Sequence, residues 1–139
     1  MFLIDTNVVS NMMLARPAAE VARLISAQPA ELLFTATVCQ AEILAGIAIL
    51  PEGRRRRDLE DAAAAMFAED FADRVLTFDA DAAVAYAAIF AARRRMGRPA
   101  AIIDLMIAAI AQSQGASVVT RNVSDFEGCG IAVVNPWEA

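Results

Sequence analysis

The sequence predicts an α/β fold: a three-layer α/β/α arrangement around a central parallel sheet of four to five strands. Two observations carry that expectation. Short apolar runs of strand length alternate with helical stretches along the whole chain, which implies parallel pairing with helices on both faces. No repeat, linker or low-complexity tract divides the chain, so residues 1–139 are expected to form one domain.

Phe2 to Ile4 is a short apolar run followed by Asp5, Thr6 and Asn7, the pattern of a buried strand that runs into a helix N-cap. Helical sequence follows to about Arg16. Pro17 is suited to open a second helix that ends near Gln28, before Pro29. Leu32 to Thr35 reads as the second strand. Thr37 to Leu50 is helical, and Pro51 to Gly53 breaks it. Arg54 to Phe71 is a longer helix with charges on one face. Val75 to Phe78 is a third strand, and Asp79 to Met96 an alanine-rich helix that stops at Gly97. Ala101 to Gln114 is another helix, closed by Gly115. Ser117 to Thr120 and Ile131 to Val134 complete the strands.

Composition excludes several chemistries. The chain has no histidine, so Ser-His-Asp and Cys-His catalysis, histidine-ligated zinc and histidine bases are absent. It has no lysine either: all 12 basic residues are arginine, which removes Schiff-base chemistry and the P-loop. Any enzyme built from this chain works with carboxylates, hydroxyls, arginines and metal ions. The two cysteines, Cys39 and Cys129, lie far apart without a CxxC pattern and read as small core residues of a reducing compartment. No apolar stretch approaches the ~20 residues of a membrane span, and no secretion signal opens the chain. A cytoplasmic protein without membrane contact is expected. Net charge is −5, yet eight arginines fall in two runs, Arg54 to Arg57 and Arg93, Arg94, Arg95 and Arg98. These are either solvated helix faces beside acids such as Asp58 and Glu60 or local phosphate contacts.

Three acids interrupt apolar elements. Asp5 ends the first strand, and open parallel sheets bind ligands beyond the carboxyl ends of their strands. Glu42 lies in Ala41-Glu42-Ile43-Leu44-Ala45-Gly46. Asp104 lies in Ile103-Asp104-Leu105-Met106-Ile107, a helix apolar nearly all round and so expected to be buried. Each has a plain alternative: Asp5 as an N-cap only, Glu42 at a solvated helix edge, Asp104 paired with Arg98 or Arg121. If the three converge, a divalent cation relieves the cost of burying unpaired carboxylates, and hard oxygen ligands select Mg²⁺ or Mn²⁺. A fourth acid, Asp125, comes from Thr120-Arg121-Asn122-Val123-Ser124-Asp125-Phe126, which leaves a strand at the same sheet edge. Asn122 is either a second contributor or a turn residue. Carboxylate pockets that hold Mg²⁺ suit phosphodiester hydrolysis, because the ion lowers the pKa of a bound water and neutralises charge growing on the phosphoryl oxygens.

Taken in order, Phe2-Leu3-Ile4-Asp5-Thr6-Asn7, Ala41-Glu42-Ile43-Leu44-Ala45-Gly46, Ile103-Asp104-Leu105-Met106-Ile107-Ala108-Ala109, Val119 to Phe126 and Val134-Asn135-Pro136-Trp137 resemble the motifs of the PIN-domain ribonucleases. The likeness is to the VapC/FitB-like toxins of type II toxin–antitoxin pairs, and it covers the whole length. It implies a PIN-like α/β/α domain, metal-dependent endonuclease activity on RNA, and homodimers restrained by a cognate antitoxin. That antitoxin is a small DNA-binding protein expected to place an arginine of its tail near Asp5, Glu42 and Asp104. The resemblance gives Asp5, Glu42 and Asp104 the metal-ligand roles, with Thr6 or Thr120 orienting ligands or water. One departure is Asn122, where many relatives carry an acid; Asp125, one turn on, is the expected substitute.

The expected function is therefore a Mg²⁺-dependent endoribonuclease toxin. The alternative is a catalytically weak PIN-fold scaffold that acts through dimerisation and partner binding. A response-regulator receiver domain would need a lysine after its last strand. A nucleotide-binding module would need a glycine-rich loop that opens a helix, which Gly128 to Gly130 does not.

Overall fold

The computed structural model describes residues 1–138. Five parallel strands form the central sheet in the order β3-β2-β1-β4-β5. They are β1 (Phe2–Ile4), β2 (Leu33–Ala36), β3 (Val75–Leu76), β4 (Ser117–Val119) and β5 (Val133–Val134). Six helices surround them: α1 (Thr6–Met12), α2 (Ala19–Ser26), α3 (Thr37–Ala48), α4 (Arg54–Ala65), α5 (Ala80–Arg95) and α6 (Ile102–Gln114). The three-layer α/β/α architecture is the one expected, with the full five strands.

Strand alternation divides the core in two. Leu3 and Val118 face one apolar cluster, with Leu105, Ile107, Ile110 and Ile89 of α5 and α6. Ile4 and Val119 face the other, with Val8, Val21, Ile43, Ile47, Phe67 and Phe71. Successive side chains of a strand point to opposite faces, so apolar residues in sequence serve both layers. The edge strands β3 and β5 are two residues each, shorter than the four expected for each. Short edges leave little unpaired backbone for another chain to join.

Local differences from expectation have local causes. The second helix starts at Ala19, not Pro17, because the Ala18 N–H donates to Asn11 Oδ1 at 2.9 Å and ties the start of α2 to α1. The long fourth helix widens into one π turn over Met66–Asp70, closed by Phe71 N–H to Met66 O at 2.9 Å, which seats Phe71 against Phe67 in the core. Helix α6 is not buried all round: its first turn is open, with Ile102 66% and Ile103 39% exposed. Gly115 closes α6 in the left-handed conformation, φ 67°, as its position predicts. Both cysteines are buried and free. Among the described residues no helix is long and apolar enough to cross a membrane.

Chain order sets the location of ligands. Strand β1 is followed by β2 on one side and is flanked by β4, which arrives 115 residues later, on the other. Open α/β sheets bind ligands beyond the carboxyl ends of their strands where the strand order reverses. Here that point lies between β1 and β4, whose register pairs Ile4 with Val119. The next residues on each strand are Asp5 and Thr120.

Candidate active site

Asp5 does cap α1, as its position suggested, since its Oδ1 accepts from Thr6 N–H at 2.8 Å. Its other oxygen faces the switch point. Oδ2 accepts from Thr120 Oγ1 at 2.7 Å and from Asn7 Nδ2 at 3.2 Å. The residue is 3% exposed. Burial raises its pKa above the usual carboxylate range and the nearby Glu42 adds to this, while the Thr120, Thr6 and Asn7 bonds oppose it.

Glu42 sits half-buried in the second turn of α3, which follows β2 without a loop. Its Oε1 accepts from Thr6 Oγ1 at 2.5 Å. Thr6 thus joins the two acids, giving its backbone N–H to Asp5 and its hydroxyl to Glu42. Two apolar grooves meet at Glu42. One, of about 290 Å³, runs between α1, α3 and α4 past Met13, Ile47 and Leu59. The other, of about 550 Å³, lies between α3 and α6 against Val38, Ala45, Ile103 and Met106.

Asp104 lies in the first turn of α6, half-buried rather than enclosed. Its pKa is pushed up to about 6, by loss of solvent first and then by Asp125, Asp5 and Glu42; Arg93 alone opposes them. The charges of the other three acids thus all reach Asp104, that of Asp125 most strongly. Asp125 is carried by the 3₁₀ turn Val123–Phe126, whose N–H bonds back to Asn122 O at 3.1 Å. Asn122 is exposed; its N–H donates to Thr120 Oγ1 at 3.0 Å, and its side-chain amide makes no hydrogen bond among the described residues.

Two residues of the site escaped sequence reading. Asn7 bridges Asp5, through Nδ2, and the backbone N–H of Arg121, which donates to Asn7 Oδ1 at 3.2 Å. Arg93 is 4% exposed and donates from Nη1 to Ser124 O at 3.2 Å and Glu127 O at 2.6 Å, so it clamps α5 to the turn that carries Asp125. The arginines considered as partners of Asp104 are engaged elsewhere: Arg98 pairs with Glu127 at 2.6 Å, and Arg121 stacks on Trp137 at 3.8 Å. A signal for Arg93 existed in the sequence, since Ala82, Ile89 and Arg93 fall at helical spacing on the buried face of α5.

The donor set is hard oxygen throughout. Among the described residues no three acidic or cysteine side chains close on a single point as ligands of one ion. Among the described residues the Asp104 carboxylate takes no hydrogen bond, and the charges of Asp125, Asp5 and Glu42 raise its pKa. An excess of carboxylate charge with one buried arginine nearby fits a divalent cation of the Mg²⁺ or Mn²⁺ class.

The chain is similar to known proteins along its whole length. The PIN domain family profile matches residues 2–127. The chain is 42% identical to the plasmid stability protein StbB of Pseudomonas syringae pv. tomato over the full length of both. It is 37% identical to the VapC ribonuclease Y4jK of Sinorhizobium fredii over 99% of each chain. It is 31% identical to the toxin FitB of Neisseria gonorrhoeae over 99% of each, and it superposes on the crystal structure of FitAcB from that organism with a TM-score of 0.92, covering 100% of both chains.

Proposed function

The chain belongs to the PIN-domain family, and on that premise we propose that it is the toxin of a toxin–antitoxin pair, a one-domain endoribonuclease dependent on Mg²⁺, with Mn²⁺ as the alternative ion. The reading is supported by Asp5 at the β1/β4 switch point, by its link through Thr6 to Glu42, and by the charges of Asp125, Asp5 and Glu42 acting on Asp104. Likeness over the full length to a protein named as a VapC ribonuclease and to one named as a toxin supports the substrate and the cellular role.

Asp5, Glu42 and Asp104 would hold the cation, and Asp125 would complete the negative set. When bound, the ion supplies the charge that activates water and balances the phosphoryl oxygens during hydrolysis. The chain's own residues partly offset the cost of ionising these acids. Thr120, Thr6 and Asn7 donate to Asp5 and favour its charged form against burial. Thr6 holds the Glu42 carboxylate by its hydroxyl. Arg93 fixes the backbone on either side of Asp125 and lowers the cost of ionising Asp104.

RNA is the substrate in this reading. A cognate antitoxin, a small DNA-binding protein with an arginine-bearing tail, is the inhibitor. A homodimer is the resting form, supported by the open apolar groove at Val38, Ala45, Ile103 and Met106 and by the exposed Leu44. Purified protein incubated with RNA in Mg²⁺, in chelator, and as Asp104→Asn tests the reading. Cleavage confined to wild type with metal is expected. Intact RNA in every arm, from protein that still dimerises, would turn the assignment to the scaffold alternative.

A further inference from the structure

The arginine that follows Thr120 has a fixed place and, among the described residues, no acidic partner. Arg121 is exposed at the carboxyl end of β4, beside the acids. Its N–H donates to Asn7 Oδ1 at 3.2 Å, and its carbonyl accepts from Asn135 Nδ2 at 3.5 Å. Asn7 in turn holds Asp5. The backbone of Arg121 is therefore strapped between the end of β1 and the segment after β5.

Its side chain is fixed as well. The guanidinium lies 3.8 Å from the centre of the half-buried Trp137 ring. Trp137 is itself held by its N–H donating to Asn135 Oδ1 at 3.0 Å. Cation–π stacking occupies one face of a guanidinium and leaves its in-plane N–H groups free. Among the described residues the ion pairs use Arg54, Arg56 and Arg98, not Arg121. Nor is Arg121 among the charges that act on Asp5 or Asp104.

A protein of net charge −5 that draws a polyanion into a carboxylate pocket needs local positive charge. Arg93 is consumed by two backbone carbonyls and Arg98 by Glu127. We infer that Arg121, held flat by Trp137, is a phosphate-binding subsite that grips the RNA backbone next to the phosphate being cleaved. The inference rests on the ribonuclease reading. It explains the residue type, since a planar fork meets two phosphate oxygens at once while an ammonium meets them as a point charge.

The test measures binding of a short fluorescein-labelled single-stranded RNA, with Mg²⁺, in an Asp104→Asn background that leaves the RNA uncut. Salt is varied from about 50 to 200 mM. Arg121→Met keeps packing on Trp137 and removes the fork, and thermal melts verify that it folds. Expected are about tenfold weaker binding and a salt slope shallower by about 0.7, the value for one lost contact on a single strand. In the cleaving enzyme the same change raises KM and leaves kcat within about twofold, as loss of uniform binding does. Arg121→Lys recovers the slope but not the full affinity. Trp137→Phe keeps the stack, and Trp137→Ala weakens binding in the direction of Arg121→Met. Folded Arg121→Met that binds RNA with wild-type affinity and slope overturns the subsite. So does a loss confined to inhibition by a protein partner. Failure of the ribonuclease reading is a different result, wild type that leaves RNA uncut in Mg²⁺.

Discussion

The Thr120 hydroxyl donates to Asp5 Oδ2 at 2.7 Å across 115 residues of sequence, at the point where β1 and β4 leave the sheet side by side. This bond opposes the effect of burial on Asp5. Thr120→Val removes it while keeping the shape. Asp5 then binds its proton more tightly, so the acid limb of the pH–rate profile moves to higher pH. At neutral pH kcat/KM should fall about tenfold, the scale of one lost hydrogen bond to a buried charge. An unchanged pH profile would remove Thr120 from the machinery.

Asp104 links activity to stability. Its folded pKa of about 6 lies above the unfolded value near 3.8, so the native state holds this proton more tightly than the unfolded chain. The penalty is absent below about pH 4, grows as pH rises through about 6 and is complete above that. Asp104 is half-buried, and solvent screening reduces the penalty to on the order of 1 kcal/mol. Asp104→Asn should be inactive yet melt about 4 °C higher than wild type in chelator at pH 7, with the difference gone at pH 4. Mg²⁺ at ~100 times its dissociation constant should raise wild type by ~2.7 kcal/mol and the variant by less. Scanning melts at both pH values, with chelator and with Mg²⁺, check each part.

The fourth position of the site comes down to two residues three apart. Asp125 acts on Asp104, while the Asn122 amide is exposed and uncharged. Asp125→Ala should raise the Mg²⁺ concentration for half-maximal cleavage several-fold, and Asn122→Ala should change it little. The reverse order in a Mg²⁺ titration would assign the fourth position to Asn122.

Arg93→Met exchanges a buried guanidinium for an apolar side chain of similar length and leaves Ser124 O and Glu127 O without their donor. A loss of about 2 kcal/mol is expected, seen as a lower melting temperature and faster amide exchange across Val123–Phe126. Cleavage should fall with it, because Asp125 rides on that turn. Exchange rates equal to wild type would show that the turn holds itself.

Sequence made Asp5 legible because three apolar residues followed by Asp-Thr-Asn spell both a strand end and a helix cap. Glu42 and Asp104 were legible because each interrupts an apolar helix. Local pattern stops there. The exposure of the α6 first turn depends on what fails to pack against Ile102 and Ile103, a tertiary matter that periodicity cannot report. Arg93 lay hidden in a run of arginines, where charge suggests solvent, although its spacing from Ile89 put it on the inner face. Asn7 read as a cap residue because its second partner, Arg121, is 114 residues away.

The strand order also governs when the site comes into being. While the chain is being made, β1 can pair with β2, and β2 with β3, but the other edge of β1 stays open until β4 is synthesised. Contacts this distant in sequence form late, after the entropy of closing a long loop has been overcome. Asp5 and Glu42 emerge early and together; Asp104, Thr120 and Asp125 join them only when the chain is nearly finished. A nascent or truncated polypeptide thus carries two of the acids and none of the assembled centre. The central strand's open edge is meanwhile the point at which an unfinished chain is most exposed to pairing with the wrong neighbour.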